Sequence, residues 1–426
     1  MILHVLVFAN DVSSYDRLWS YDFENNGYDD AGQVFNVIDF GAAGDGLKDD
    51  TKALSDAWNA ACAAGQTPTI LVPRDKTIMV NPIQFDGTKC KFSGVHLQLE
   101  GQIVAPSRKG WANCAGNWFD FDHVNGLTID GNGLFYAHGE AYWQRPPGSL
   151  GEDESRFEES LMHFESCNHL TLHQVNTKDS PGVHLSIWNS ANVEISNVNI
   201  SAPGDSPNTD GINLVASKKV IIRDSTIATG DDCIAINSGS QYFNISNVAC
   251  GPGHGISIGS LGKNGGFSTV EDVHVKDCSF TASQNGARIK TYQGGKGYAR
   301  RIVYEGITLV NASNPIYIDQ RYCARQTCQD QPDAVAISDV SYINFHGTSA
   351  DQNAIILDCA TSGAGCQNII LDNIDIKSAN PATPAQTVCT NAHGKVTKTS
   401  PEVSCFKESP FAHQSFDEYE IIPTLD

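Results

Sequence analysis

The sequence predicts an all-β fold, a right-handed parallel β-helix of about ten coils with an N-terminal capping helix. From residue 170 onward, short stretches of alternating apolar and polar residues recur at intervals of 23 to 38 residues. Each stretch leads into Asp, Asn or Gly and then another short apolar run, a pattern that is too short and too rich in turn residues for helical repeats. The regular leucine frame of a leucine-rich repeat is absent. Because such units cannot bury their inner faces alone, they must stack on one another.

The repeating stretches are identified by their first apolar residue. Eight copies begin at Leu170, Val193, Val220, Phe243, Val273, Ile302, Val340 and Ile369. Two earlier copies begin at Leu97 and Leu127. Since side chains alternate between the two faces of a strand, the irregular intervals indicate that the turns vary in length while the strands keep their register.

A helix is expected just before the first coils, where it can cover the open end of the solenoid. Asp50 or its neighbour can begin this helix, and Gly65 can end it. Apolar residues then follow on one face at Ala53, Leu54, Ala57, Trp58, Ala61 and Cys62. We interpret residues 34–426 as one catalytic domain with a disulfide-tied C-terminal tail, and residues 1–33 as an N-terminal arm. The apolar run at residues 1–9 fits either the end of a signal peptide or the start of a disordered arm.

The composition limits the classes of function. The chain has 426 residues, of which 40% are hydrophobic and 18% charged, as is typical of globular proteins. The net charge of -21 argues against nucleic acid as a partner, because phosphate binding needs a basic surface. No apolar stretch approaches the roughly 18 residues of a membrane span. We expect neither a nucleic-acid nor a membrane partner, and we assume a monomer.

The cysteines and the glycosylation sequons favour a secreted protein. The chain has 13 cysteines and no C-x-x-C pair, which is unlike a zinc site. Three local pairs have the spacing of disulfides: Cys323 with Cys328, Cys359 with Cys366, and Cys389 with Cys405. Three N-x-S/T sequons occur at Asn199, Asn244 and Asn311. Both features predict passage through the secretory route to the cell exterior.

Four short polar segments in the middle of the chain form a candidate acid–base site. They are residues 208–210 (NTD), 230–233 (GDDC), 253–255 (GHG) and 288–290 (RIK). Asp210 and Asp232 are 22 residues apart, and so are Asp232 and His254. If the chain coils with that period, these residues align on one face of the solenoid.

This constellation suits glycoside hydrolysis, in which one carboxyl group protonates the leaving oxygen and another activates water. Asp231 and Asp232 would point to opposite faces of a regular strand, and Gly230 permits a bend that brings both into one cleft. Carboxylates held close together repel, which raises the pKa of one of them, and His254 can tune that proton. The two cations, Arg288 and Lys290, would suit a substrate that carries carboxylates.

Each residue also has a simpler explanation. An Asp in a turn often bonds only its own backbone, adjacent Asp residues can hold Ca²⁺, and Arg288 and Lys290 could form a solvated strand face. Residues 255–259 match the G-x-S-x-G pattern of serine hydrolases, but the glycine-rich sequence after them cannot open the helix that this motif needs. The alignment of all four segments favours a shared site.

These four segments resemble the signature motifs of polygalacturonases, glycoside hydrolase family 28, and the sequence CGPGHGISIG at residues 250–259 is most similar to the plant members. The resemblance extends from about Val34 to Cys405. It implies a right-handed parallel β-helix that hydrolyses α-1,4-linked galacturonic acid in pectin with inversion, without a cofactor or metal.

The resemblance also implies roles for individual residues. Asp231 would be the general acid, Asp210 and Asp232 would hold and activate the water, and His254 would support the protonation state of the acid. The implied substrate-binding residues are Asn208, Gly255, Arg288, Lys290, Gln320 and Tyr322. The implied disulfides are Cys233–Cys250, Cys359–Cys366, Cys389–Cys405 and, in addition, Cys90–Cys114.

Three further expectations concern the charge of the cleft, the spacing of the aspartates and the pH optimum. The acidic chain must either present a locally basic cleft to an anionic polymer or act when the substrate carboxylates are screened or protonated. The spacing of neighbouring strands would place Asp210 and Asp232 at about 5 Å, so inversion follows from the resemblance and not from the spacing. A slightly acidic pH optimum is expected because the acid must stay protonated.

The alternatives are a Ca²⁺-dependent pectate lyase, an inactive pectin-binding protein and a rhamnogalacturonan hydrolase. Endo action and exo action both remain open, depending on loops such as residues 144–159.

Overall fold

The computed structural model describes residues 32–65, 67–91, 93–106, 116–143, 159–323, 331 and 334–406. Their strands form two parallel β-sheets, of 20 and 11 strands. The chain alternates between these sheets as it coils, and the fold is the right-handed parallel β-helix that the repeats predict. Residues 144–158 of the predicted loop and residues 1–31 of the predicted N-terminal arm lie outside the described residues.

The larger sheet, sheet A, contains β1 (Val34–Asn36), β2 (Asp45–Asp49), β3 (Thr69–Val72), β4 (Thr77–Met79), β6 (His96–Leu99), β7 (Gln102–Val104), β9 (Thr128–Asp130), β10 (Leu134–Tyr136), β12 (Thr171–His173), β13 (Asn176–Lys178), β15 (Ala191–Ser196), β16 (Asn199–Ser201), β18 (Lys218–Ala228), β20 (Ser240–Cys250), β22 (Phe267–Lys276), β23 (Ser279–Thr281), β25 (Lys296–Ala312), β27 (Ala336–Ser349), β29 (Cys366–Ser378) and β31 (Ala392–Ser400). The smaller sheet, sheet B, contains β5 (Ile83–Asp86), β8 (Phe119–Asp122), β11 (Met162–Glu165), β14 (Leu185–Trp188), β17 (Ile212–Val215), β19 (Ile234–Ile236), β21 (Ile256–Leu261), β24 (Asn285–Tyr292), β26 (Asn314–Tyr322), β28 (Asn353–Asp358) and β30 (Gln386–Thr390). The helical segments are α1 (Thr51–Ala63), α2 (Glu140–Trp143) and two 3₁₀ turns (Gly87–Lys89 and Lys263–Gly265).

The register of sheet A confirms the predicted repeat. The residues that open the predicted copies pair directly with one another, in the column Val193, Val220, Phe243, Val273, Ile302, Val340 and Ile369. The earlier copies differ slightly: Leu97 pairs with Ile129, so Leu127 lies two residues before the position that matches Leu97. Because a shift of two residues keeps a side chain on the same face, both leucines are still buried in the core.

A column of left-handed residues marks one corner of the coil. Asn197, Asp224, Asn247, Asp277, Gly306, Asn344 and Asn373 follow one another on adjacent strands, and all have φ between 52° and 68°. Asn, Asp and Gly tolerate this conformation better than other residues. Side-chain amides also bond along the column, as from Asn247 Nδ2 to Asp224 Oδ1 at 2.7 Å. The recurrent Asp, Asn or Gly of the sequence is therefore the residue that turns the chain.

Helix α1 packs its apolar face against the first coils, as predicted. The six apolar residues named from the sequence are all buried, and the Trp58 ring lies 4.5 Å from that of Phe85. The predicted start at Asp50 is confirmed, but its capping role and the predicted end need correction. Asp50 occupies the N-cap position, but its carboxylate accepts the backbone N–H groups of Ala43 and Gly44 and caps the preceding turn instead. The helix ends at Ala63 because Ala64 is already extended, and Gly65 lies outside it.

The disulfides confirm three expected pairs and correct a fourth. Cys233–Cys250, Cys359–Cys366 and Cys389–Cys405 are formed. The expected Cys90–Cys114 bond is wrong, because Cys90 bonds Cys62 at the end of α1, with the two Cα atoms 4.1 Å apart. Cys323 is disulfide-bonded, and its expected partner Cys328 lies outside the described residues, as does Cys114. Two buried thiols, Cys167 and Cys278, are free. No described helix has the length and apolar character needed to cross a bilayer.

Candidate active site

The first three polar segments lie at the N-terminal ends of neighbouring strands of sheet B. Ile212, Ile234 and Ile256 pair across β17, β19 and β21, which confirms the 22-residue alignment. Asp210, Asp232 and His254 each stand two residues before one of these isoleucines. Backbone bonds tie the segments together, as from His254 N to Asp231 O at 2.7 Å. The site thus rests on a rigid stack of buried isoleucines.

Asp231 and His254 form a close side-chain pair. His254 Nδ1 lies 2.8 Å from Asp231 Oδ1, which also accepts the backbone N–H of Asp232 at 2.8 Å. Burial raises the pKa of Asp231, but the hydrogen bond and charge of His254 and the charge of Lys290 outweigh it and bring the pKa below the usual range. Before substrate binds, this pair therefore favours the ionised form of Asp231.

Asp232 is the most enclosed of the three carboxylates. Ser257 Oγ donates a hydrogen bond to its Oδ1, and Lys290 Nζ lies 2.7 Å from its Oδ2, so both oxygens have a partner. The side chains of Asp232 and Lys290 are only 2% and 10% exposed. Burial is the largest influence and lowers the pKa of Lys290, but the charge and hydrogen bond of Asp232, together with Tyr322, outweigh it and raise the pKa, so the lysine stays charged. The separate partners of Asp231 and Asp232 hold adjacent carboxylates in one cleft.

The pKa of Asp210 shifts in the opposite direction to that of Asp231. Burial raises its pKa well above the usual range, and the charges of Asp231 and Asp232 raise it further, while Lys290 offsets only part of the effect. The sequence predicted a raised pKa for one of the close carboxylates Asp231 and Asp232, without saying which. The structure places the raised pKa on Asp210, where burial and the charges of Asp231 and Asp232 act together, whereas Asp231 is hydrogen-bonded to His254.

Two small residues fix the geometry of the aspartate segments. Thr209 is fully buried, and its Oγ1 bonds Ser206 Oγ at 2.6 Å and accepts the backbone N–H of Gly230 at 2.9 Å. At Gly230, a Cβ atom would lie 1.9 Å from the carbonyl oxygen of Ser206. The predicted reason for Gly230 was a bend, whereas the structure shows that a close approach of backbone requires glycine here. Asn208 at the exposed turn has φ 53°, a conformation that asparagine tolerates.

Arg288 lies two strands beyond the aspartate pair. It pairs with Ser257 of β21 on one side and with Tyr317 of β26 on the other. Its guanidinium lies 5.6 Å from the ring centre of Tyr317 and 5.3 Å from that of Tyr322, within cation–π range. Lys290 Nζ lies 5.4 Å from the Tyr322 ring. The structure therefore brings Arg288, Lys290 and Tyr322 together beside the aspartates.

Gln320 does not belong to this surface, and its expected substrate contact is contradicted. The residue is 2% exposed. Its Nε2 donates to the backbone oxygen of Val335 at 2.7 Å, and its Oε1 accepts the N–H of Ala360 at 2.9 Å. Both ends of the amide are thus used inside the protein, because Gln320 points to the opposite side of the strand from its neighbours.

Gly255 lies beside the site, where only a residue without Cβ fits. Its φ is 81°, and a Cβ atom would lie 2.2 Å from the carbonyl oxygen of Gly286 on the next coil. Its own carbonyl accepts the N–H of Cys233 at 2.9 Å. Gly255 therefore keeps neighbouring coils in contact, and its expected role in substrate binding remains a prediction.

Each cation of the cleft already faces a carboxylate. Lys290 is bound to Asp232, and an Arg288 Nη2 nitrogen lies 3.9 Å from Asp319 Oδ2. A locally basic cleft, one of the two alternatives for binding an anionic polymer, is therefore not found among the described residues of this surface. Ligand atoms of Asp231, Asp232 and His254 lie within 4.8 Å of one another, close enough to hold a cation. A divalent ion there would have to displace Lys290 from Asp232, so a metal fits poorly.

Sequence reasoning missed four residues of the site: Thr209, Ser257, Tyr317 and Asp319. The last two could have been found from the repeat, because Arg288 pairs with Tyr317 and Lys290 with Asp319 at a spacing of 29 residues. The same spacing separates the predicted strand starts Val273 and Ile302. Ser257 was considered only as part of a serine hydrolase motif. The segment after β21 is a short 3₁₀ turn and not the helix that this motif needs.

Comparison with known proteins agrees with this geometry. The model of the family described as glycosyl hydrolases family 28 matches residues 62–405. A probable polygalacturonase of Arabidopsis thaliana is 42% identical over 381 residues, covering 88% of this chain and 81% of that protein. A polygalacturonase of Malus domestica is 38% identical, covering 81% of this chain and 75% of that protein. Among solved structures, the endo-xylogalacturonan hydrolase of Aspergillus tubingensis has the same fold, with a TM-score of 0.73, 24% identity and coverage of 86% of this chain and 99% of that one.

Proposed function

This chain belongs to glycosyl hydrolases family 28, and on that premise we propose that it is a polygalacturonase. Its substrate is homogalacturonan, the galacturonic acid polymer of pectin, and it cleaves the α-1,4-glycosidic bonds by hydrolysis. The observation that carries this proposal is the packing of Asp231, Asp232 and His254 within 4.8 Å, beside the cations Arg288 and Lys290. The first group supplies acid–base chemistry, and the cations recognise carboxylates.

Asp231 acts as the general acid in this proposal, and His254 supports its protonation state. The 2.8 Å bond allows one proton to move between Nδ1 of the histidine and Oδ1 of the carboxylate. A substrate carboxylate that enters the cleft disfavours a further negative charge and so shifts this proton toward Asp231. The acid can then protonate the oxygen of the departing sugar.

Asp210 and Asp232 prepare the attacking water in the proposed inverting mechanism. A carboxylate with a raised pKa is the stronger proton acceptor once it is ionised, which favours Asp210 as the base. Asp232, held by Ser257 and Lys290, orients the water by accepting a hydrogen bond. Activity therefore requires Asp210 without its proton and the Asp231–His254 pair with one, which predicts a bell-shaped pH profile.

Substrate contacts are proposed for Asn208, Gly255, Arg288, Lys290 and Tyr322. Residues 34–426 are proposed to form the catalytic domain. We place the enzyme outside the cell as a monomer, with pectin as its partner and glycosylation at the sequons Asn199, Asn244 and Asn311. The disulfides formed among the described cysteines support an oxidising compartment, and Asn199 and Asn311 are exposed.

The test is the conversion of polygalacturonic acid at about pH 5 in EDTA by the protein and by Asp231→Asn, with product release followed as reducing ends and as absorbance of unsaturated sugars. We expect reducing ends without unsaturated product, and a kcat that is about 10²- to 10⁴-fold lower in the variant. The matched control is Asp224→Asn, an aspartate of sheet A that bonds Arg223 and Asn247, and it should leave the rate unchanged. Unsaturated product that appears only with Ca²⁺ would establish a lyase, and binding without any product would establish a pectin-binding protein.

A further inference from the structure

We infer that Asp319 is a specificity-determining residue, the counter-ion that a substrate carboxylate must displace from Arg288. This inference rests on the proposed function, because it concerns the galacturonate carboxylate at the same cleft. Asp319 lies on β26, where it pairs directly with Lys290 of β24, and its Oδ2 is 3.9 Å from Arg288 Nη2. Its place beside both cations gives it a direct influence on the charge that a substrate meets.

Arg288 differs from Lys290 in how firmly it is already paired. Lys290 lies 2.7 Å from Asp232, a full hydrogen-bonded ion pair, whereas the 3.9 Å between Arg288 and Asp319 is too long for a hydrogen bond. The buried Nε of Arg288 has no hydrogen-bond partner among the described residues. Arg288 is therefore the cation that remains able to exchange its counter-ion for a ligand.

Asp319 is fixed in place independently of Arg288. Its Oδ1 accepts the backbone N–H of Arg321 at 3.1 Å, and the Tyr317 hydroxyl bonds its carboxylate. Burial raises the pKa of Asp319, and Arg288 offsets part of this effect. Because these bonds hold the side chain beside Arg288, it competes with any carboxylate that binds there. The affinity of the cleft for galacturonate is thereby limited, and a bound product can leave.

The inference makes a prediction for Asp319→Asn, which keeps the shape of the side chain and removes its charge. The KM for polygalacturonic acid and the inhibition constant of galacturonic acid should both fall about tenfold, equivalent to about 1.4 kcal/mol. The binding constant of a fully methyl-esterified oligomer should not change, since that ligand carries no carboxylate. The difference between the two proteins should shrink toward about 1 M salt, where the Debye length is about 3 Å.

Asp358→Asn provides a matched control. Asp358 pairs with Asp319 on the next strand of the same sheet, but it bonds the exposed Arg321 and not a cation of the cleft. This variant should change the KM by less than about twofold. An equal fall in both variants would mean a general change of surface charge and would overturn the inference, as would an unchanged or raised KM in a folded Asp319→Asn. If that variant does not fold, Asp319→Ser removes the same charge and carries the same prediction.

Calorimetric binding of trigalacturonate to the same proteins separates this inference from the proposed function. Tighter binding by Asp319→Asn supports the counter-ion role whatever the rate of turnover. Binding and hydrolysis that do not depend on Asp319 would overturn this inference alone. Neither binding nor hydrolysis by the unaltered protein would overturn the proposed function and, with it, the role of Asp319.

Discussion

Replacement of Lys290 by methionine tests whether the buried Lys290–Asp232 pair stabilises the fold as well as the site. At 2.7 Å the attraction between the two charges is ~6 kcal/mol for an effective dielectric constant of about 20. Most of this attraction only offsets the cost of removing both groups from water. Loss of one partner alone is different, because it leaves Asp232 buried with a charge that nothing balances, at a cost of about 3–5 kcal/mol.

The bond from Ser257 to Asp232 remains in the variant and offsets about 1 kcal/mol of this cost. We therefore expect Lys290→Met to lower the free energy of unfolding by about 3 kcal/mol, as measured by guanidinium denaturation followed by tryptophan fluorescence. The double variant Lys290→Met with Asp232→Leu should recover most of the loss, since it removes both charges.

Lys52→Met is the control for the simple loss of a lysine. Lys52 pairs with Asp56 on the surface of helix α1, where its side chain is 85% exposed. This variant should cost less than about 0.5 kcal/mol. A loss below about 1 kcal/mol for Lys290→Met, or a double variant that is less stable than the single one, would refute the reasoning.

Two further predictions concern the same region. Because the folded protein raises the pKa of Asp210 above its ordinary 3.8, the stability that this group contributes is complete below that pH and is lost as the pH rises through the higher folded pKa. Asp210→Asn should therefore raise the unfolding free energy at pH 7 and show no gain near pH 4, and equal stability of the two proteins at both pH values would contradict the shift. Gly230→Ala should destabilise the fold by about 3 kcal/mol or more, because its Cβ would lie 1.9 Å from the Ser206 oxygen. Gly65→Ala, with no atom within 4 Å of the added carbon, should be neutral when both variants are compared by thermal melting, and a similar loss in both variants would show that the contact at Ser206 relaxes.

The parts of the structure that follow from short-range periodicity could be predicted from the sequence. The column from Val193 to Ile369 and the 22-residue alignment of Asp210, Asp232 and His254 depend on alternation within strands and on turn residues at fixed positions. Both signals are local, since each coil must present the same apolar face to the next one. The charged residues Arg288 and Lys290 could be assigned to the cleft from the same local alternation.

Contacts that depend on three-dimensional packing could not be predicted in this way. The partner of Cys90 is Cys62, because α1 folds back over the first coils, and no spacing in the sequence encodes that return. Gln320 carries a polar side chain on the interior side of its strand, where the pattern of apolar alternation gives no indication of its buried amide bonds. The pKa values of Asp210 and Asp231 diverge because only one of them meets His254.

The strict pairing of successive coils has a consequence for how this enzyme can evolve. In a solenoid each coil rests only on its neighbours, and the strand columns stay aligned although the turns between them differ in length. A turn can therefore gain or lose residues without moving Asp210, Asp232 or His254 relative to one another. Mutations that change the length of a turn can thus alter the surface around the site, and with it the range of polymers accepted, while the site residues keep their positions.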